Sequence, residues 1–241
     1  MKNIVFQGDS ITDFGRNYAD PYNVGSGYVL FIQAILNRKY PQQYTCFNRG
    51  HNGDRISDLY ARERIDGICL KPDVASFLIG VNDVWHGLDN DNGTSHIRYR
   101  DVYEMMLEDY LRELPELKVI ILEPFMLPGE NTAATPERLK AFTEDVHERA
   151  RISREVADKF GAAFIPLQER FTAEAEKYGP GYVLNDGVHP TAFCQHDHSR
   201  RMGQMFGARV RSWIRKDLFG KHDRWQQRKT RWSAAMCGSR C

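Results

Sequence analysis

Three short clusters hold the residue types that covalent ester chemistry needs: Gly8-Asp9-Ser10, Gly80-Val81-Asn82-Asp83 and Asp186-Gly187-Val188-His189. A serine hydroxyl, an amide donor and a carboxylate paired with an imidazole are the minimum for acyl transfer through a serine ester. Asp186 and His189 lie three apart with Pro190 following, so one short turn can present both side chains and let the carboxylate orient the ring. An imidazole held in that way is a base suited to taking the Ser10 proton at neutral pH. Asn82 follows the most continuous apolar run and would aim a neutral amide N–H at a developing oxyanion. Gly53, at the end of Asn48-Arg49-Gly50-His51-Asn52-Gly53, is a candidate second backbone donor, because glycine lets a backbone approach a ligand closely. Trp85, three residues after Asn82, offers a flat apolar face that suits a substrate wall against a sugar or a small acyl group.

Each residue also has a plainer reading. Ser10 can be a helix N-cap, Asn82-Asp83 turn chemistry after a strand, Asp186 and His189 a capped surface turn, Gly53 a simple turn and Trp85 packing at a sheet edge. Asp9 and Asp13 flank the serine, where two acids could be taken for a metal pair or a glycosidase pair; bracing of the serine loop is the favoured role, with Asp9 accepting backbone N–H groups.

The elements that must position these groups alternate short apolar runs with longer stretches of helical period, which argues for an α/β fold with a parallel sheet covered on both faces. Five strands are expected at 3–7, 44–48, 73–79, 118–123 and 162–166, and helices at 27–40, 99–114 and 136–160. Thr135 before Pro136 reads as an N-cap followed by proline at the first helical position. Ser10, Gly53 and Asn82 all follow strands, at the edge where open parallel sheets place their ligands.

The chain has 241 residues, enough for one sizeable core, and a formal net charge of +1 gives no global pull toward nucleic acid or an anionic membrane. No nucleic-acid partner, membrane span, metal or cofactor is expected. The five cysteines are odd in number and scattered, which fits free thiols, and the start of the chain lacks the pattern of a secretory signal, so the expected location is cytoplasmic. After Pro190 the composition changes: twelve Lys or Arg face three Asp and no Glu, with three of the four tryptophans. Residues 1–218 are expected to form the catalytic domain, closed by an amphipathic helix over 202–218, and 219–241 a basic tail. A tail translated out of frame and a tail that grips a polyanion are two explanations of that break.

Taken together, the four blocks resemble the SGNH, or GDSL-type, serine esterase and acylhydrolase family: Ser10 matches its nucleophile, Gly53 its block-two glycine, Asn82 its asparagine, and Asp186 with His189 its Asp-x-x-His pair. The resemblance implies a three-layer, flavodoxin-like α/β/α sandwich on a five-stranded parallel sheet. It also implies an oxyanion hole made by the backbone N–H groups of Ser10 and Gly53 and the side chain of Asn82. Gly8 to Asp13, Gly27-Tyr28 and Val81 to Trp85 are similar to the branch of carbohydrate acetylesterases, which implies removal of acetyl groups from acetylated xylo-oligosaccharides and, commonly, a homo-oligomer. Two alternatives remain open: a lipid-directed acylhydrolase such as a lysophospholipase or thioesterase, and a noncatalytic binding module on the same scaffold.

Overall fold

The computed structural model describes residues 1–193. The expected 202–218 helix, the 219–241 tail and Cys194, Cys237 and Cys241 lie outside the described residues.

Five strands pair in parallel in the order β2-β1-β3-β4-β5: β1 (Lys2–Gly8), β2 (Tyr44–Gly50), β3 (Val74–Leu78), β4 (Lys118–Leu122) and β5 (Ala163–Ile165). Every residue of β3 is buried, as expected of a central strand covered on both faces. The register sets Phe6 beside Ser76 and Gln7 beside Phe77, so successive residues of β1 look toward opposite layers.

Helices α3 (Ile56–Asp66), α5 (His96–Glu113) and α6 (Pro136–Phe160) cover one face. There Phe77 lies edge-on to Tyr103 and Tyr110, and the Gln7 amide donates to the Tyr110 hydroxyl at 3.3 Å. On the other face Phe6 meets Tyr28 of α2 (Tyr28–Lys39) edge-on, with ring centroids 6.1 Å apart. Val29, Ile32 and Leu36 of α2 are buried at helical spacing, so burial of one apolar stripe holds this helix down. Thr135 caps α6 by accepting from the Arg138 N–H, and Pro136 takes the first helical position, as the sequence predicts.

Three further pieces complete the frame of the site: the single turn α1 (Ser10–Asp13), α4 (Val81–Asn90), and the pair α7 (Gln168–Tyr178) and α8 (Pro180–Val183). The chain leaves β1 toward β2 on one side and returns to β3 on the other, so the order reverses between β1 and β3. A parallel sheet opens a crevice at that reversal, beyond the carboxyl ends of its strands. Ser10 follows β1 and Asn82 follows β3, at this crevice.

Candidate active site

Asp9, not Ser10, is the N-cap of α1: its Oδ1 accepts from the Ile11 N–H at 2.9 Å, which leaves the Ser10 hydroxyl free for other work. Asp9 is fully buried, and burial pushes its carboxyl up to about 7. The Ser10 hydroxyl lies 2.8 Å from His189 Nε2, and His189 Nδ1 lies 2.8 Å from Asp186 Oδ2. A carboxylate can only accept, so the ring hydrogen sits on Nδ1 and the Nε2 lone pair faces the serine. Both distances fall in the range that proton transfer needs.

The turn carrying Asp186 and His189 is closed on itself and clamped from outside. The Asn185 N–H donates to the His189 carbonyl at 2.8 Å, and Asp186 Oδ1 accepts from the N–H groups of Val188 and His189 at 3.0 and 2.9 Å. Burial alone would raise the Asp186 carboxyl, but these amides and the His189 ring outweigh it and hold the group below the usual carboxylate range. The loop after β4 packs on the turn: the Leu127 N–H donates to the Gly187 carbonyl at 2.9 Å and the Asn131 N–H to the Asp186 carbonyl at 3.1 Å. Gly187 has φ +97°, a conformation that strains residues with a Cβ.

Gly53 and Asn82 meet at Asp54. The Asn82 amide donates one N–H to the Asp54 carbonyl at 3.1 Å, which orients the side chain and leaves its second N–H for another acceptor. Gly53, at φ +83°, makes no backbone hydrogen bond through its N–H among the described residues. Arg62 of α3 ties this loop to the end of β1: it pairs with the Asp54 carboxylate at 2.6 Å and donates to the Gly8 carbonyl at 3.3 Å. The His51 N–H also reaches the Gly8 carbonyl, at 3.0 Å. Asn82 lies in the first turn of α4 rather than in an irregular turn, and the neighbouring Asp83 is spent on the scaffold, accepting from the Ile56 N–H that opens α3.

Trp85 is half-buried, edge-on to Phe142 and 6.3 Å from the His189 ring centroid. Its indole N–H donates to Asp89 at 2.8 Å, Asp89 pairs with Arg138 at 2.6 Å, and Arg138 Nε donates to the Asn131 carbonyl at 2.7 Å. Asn131 in turn donates its side-chain N–H to Asp186 Oδ2 at 3.0 Å. Asn131, Arg138, Asp89 and Arg62 stand in none of the motifs, so sequence reasoning passes over them.

Among the described residues no group of three or more His, Cys, Asp or Glu could hold a metal ion, and no helix is long and apolar enough to cross a membrane. Cys46 and Cys69 are free thiols, the first buried and the second exposed.

The pattern of the GDSL-like lipase/acylhydrolase family matches residues 6–193. An acetylxylan esterase of Geobacillus stearothermophilus is 30% identical over 195 residues, which is 78% of this chain and 86% of that protein. Among solved structures, a GDSL-like lipase from Parabacteroides merdae superposes with a TM-score of 0.76 at 33% identity, covering 85% of this chain and 93% of that one. The acetylxylan esterase Axe2 of G. stearothermophilus gives 0.72 at 26% identity, covering 83% and 91%. This chain belongs to the GDSL-like lipase/acylhydrolase family and is a carboxylic ester hydrolase.

Proposed function

We propose that the enzyme removes short acyl groups, acetyl above all, from esterified saccharides such as acetylated xylo-oligosaccharides. Ser10 is the nucleophile, His189 the acid and base, and Asp186 the group that holds the imidazole. His189 Nε2 takes the hydroxyl proton as Ser10 Oγ bonds to the ester carbonyl carbon, whose oxygen becomes an oxyanion. The N–H groups of Ser10 and Gly53 and the free amide N–H of Asn82 receive that charge. Collapse breaks the bond to the sugar oxygen, which leaves with the proton from His189. Water, deprotonated by the same ring, then releases acetate from Ser10.

The observation that carries the chemistry is the pair of 2.8 Å contacts joining Ser10, His189 and Asp186. Support for the substrate class comes from the 30% identity to an acetylxylan esterase and from Trp85 beside His189, a wall that fits a small acyl group or a sugar ring. The likeness to a GDSL-like lipase favours a second reading, hydrolysis of long-chain lipid esters. Rates on p-nitrophenyl acetate and octanoate, with acetate release from acetylated xylo-oligosaccharides, separate the two. Preference for acetate by about tenfold or more, with saccharide deacetylation, supports the proposal. Preference for octanoate without saccharide turnover replaces it with the lipid reading.

A further inference from the structure

Tyr18 is built the wrong way round for an ordinary surface tyrosine. Such residues usually bury the ring and send the hydroxyl to water, but the Tyr18 hydroxyl donates inward to the Asp13 carboxylate, and the Asn52 backbone bonds the same hydroxyl. The residue remains 54% exposed. Its ring lies on the Arg16 guanidinium, whose carbon is 3.9 Å from the ring centroid. Arg16 is itself only 7% exposed and is fixed by donating to the Gly50 carbonyl at 2.9 Å. The His51 ring meets Tyr18 edge-on at 5.2 Å. The ring is therefore backed by a buried cation and pinned at its hydroxyl, and about half of the side chain is left open to solvent in a fixed orientation.

The position is as specific as the orientation. Asp13 closes the helical turn that Ser10 opens, and Asn52 precedes Gly53. Tyr18 is thus tied to both segments that flank the ester carbonyl in the proposed mechanism. A fixed, flat aromatic face beside a reacting ester binds an axial-hydrogen face of a pyranose without losing side-chain freedom on binding.

We propose that Tyr18 is a stacking platform for a sugar ring of the substrate next to the one that carries the ester, which rests on the saccharide-ester reading above. The test compares kcat/KM for an acetylated xylo-oligosaccharide with kcat/KM for p-nitrophenyl acetate in the wild-type enzyme, Tyr18→Ala and Tyr18→Phe. Tyr18→Ala lowers the ratio of the two by about tenfold through KM for the saccharide, the size of one aromatic contact. Tyr18→Phe keeps the ring, loses only the hydroxyl bonds, and retains the ratio within about twofold. The ratio cancels any loss of folded enzyme. An unchanged ratio in Tyr18→Ala, or an equal fall in both variants, overturns the platform while leaving saccharide deacetylation standing. A wild-type enzyme that hydrolyses p-nitrophenyl acetate but no saccharide ester overturns both.

Discussion

Asn131 donates its side-chain N–H to the same oxygen of Asp186, Oδ2, that faces the His189 ring nitrogen, at 3.0 and 2.8 Å respectively. The carboxylate that orients the imidazole is therefore itself oriented, by a residue outside every recognised motif. Its other oxygen is held by two backbone amides, so the group has no freedom to rotate away from the ring.

Replacing Asn131 with Asp sets a second negative charge beside Oδ2 in place of a donor, which favours the protonated imidazole. The acidic limb of the kcat/KM profile moves to higher pH, and activity near neutrality falls by about tenfold. Asn131→Ala loses activity with a smaller movement of the limb. Equal losses at every pH in both variants would assign Asn131 a purely structural role.

Asn82→Ala removes one of the proposed oxyanion donors and leaves the Asp54 carbonyl without the Asn82 amide that donates to it. Turnover of p-nitrophenyl acetate falls by about a hundredfold to a thousandfold, while the variant still unfolds cooperatively. Wild-type turnover in a folded Asn82→Ala enzyme would remove this side chain from the mechanism.

Asp9 gives a pH signature of stability rather than rate. Its carboxyl is pushed up to about 7 by burial, whereas in the unfolded chain it titrates at about 3.9. Between those values the folded state keeps a proton that the unfolded state has lost, so this group's contribution to stability falls as pH rises through the window. Asp9→Asn cannot titrate. The melting temperature of Asp9→Asn should therefore gain on the wild type from about pH 4 to about pH 7, read by scanning calorimetry. A constant gap across that range contradicts a buried, protonated Asp9.

Gly129 lets the loop after β4 press on the turn that carries Asp186. A Cβ there would lie 2.3 Å from the Gly187 nitrogen and 2.5 Å from the Asp186 carbonyl carbon, both backbone atoms that cannot step aside. Gly129→Ala should cost about 1–3 kcal/mol in thermal unfolding and reduce kcat more than it raises KM, because the displaced backbone bears the carboxylate. Unfolding and kinetics identical to wild type would show that the loop yields freely.

The sheet was legible because its strands are short apolar runs ended by glycine or polar residues; all five fall within two residues of their expected limits. The α6 helix was legible from Thr135 and Pro136 to its end at Phe160. Helix α3 was not, because only Ile56 and Leu59 of its residues are buried, and Asp58, Arg62, Glu63, Arg64 and Asp66 break up any apolar period along it. Helix α4 hid behind Asn82-Asp83, whose local chemistry points to a turn; the fold overrides it by burying Val81 and Val84. At the site, Ser10, Asp186 and His189 stand in short motifs, each with a plain structural reading of its own, and it was the four blocks together, through their resemblance to a serine esterase family, that suggested them. Asn131, Arg138 and Asp89 reach the site only through the packing of the β4 loop on two helices, a relationship between distant segments that local sequence does not encode.

The most direct measurement is covalent capture by an organophosphonate, followed by intact mass and peptide mapping. One equivalent should add to Ser10 as esterase activity disappears, Ser10→Ala should neither react nor turn over, and His189→Ala should react far more slowly. Inactivation with the label on another residue, or full esterase activity in Ser10→Ala, would contradict a serine ester formed at Ser10.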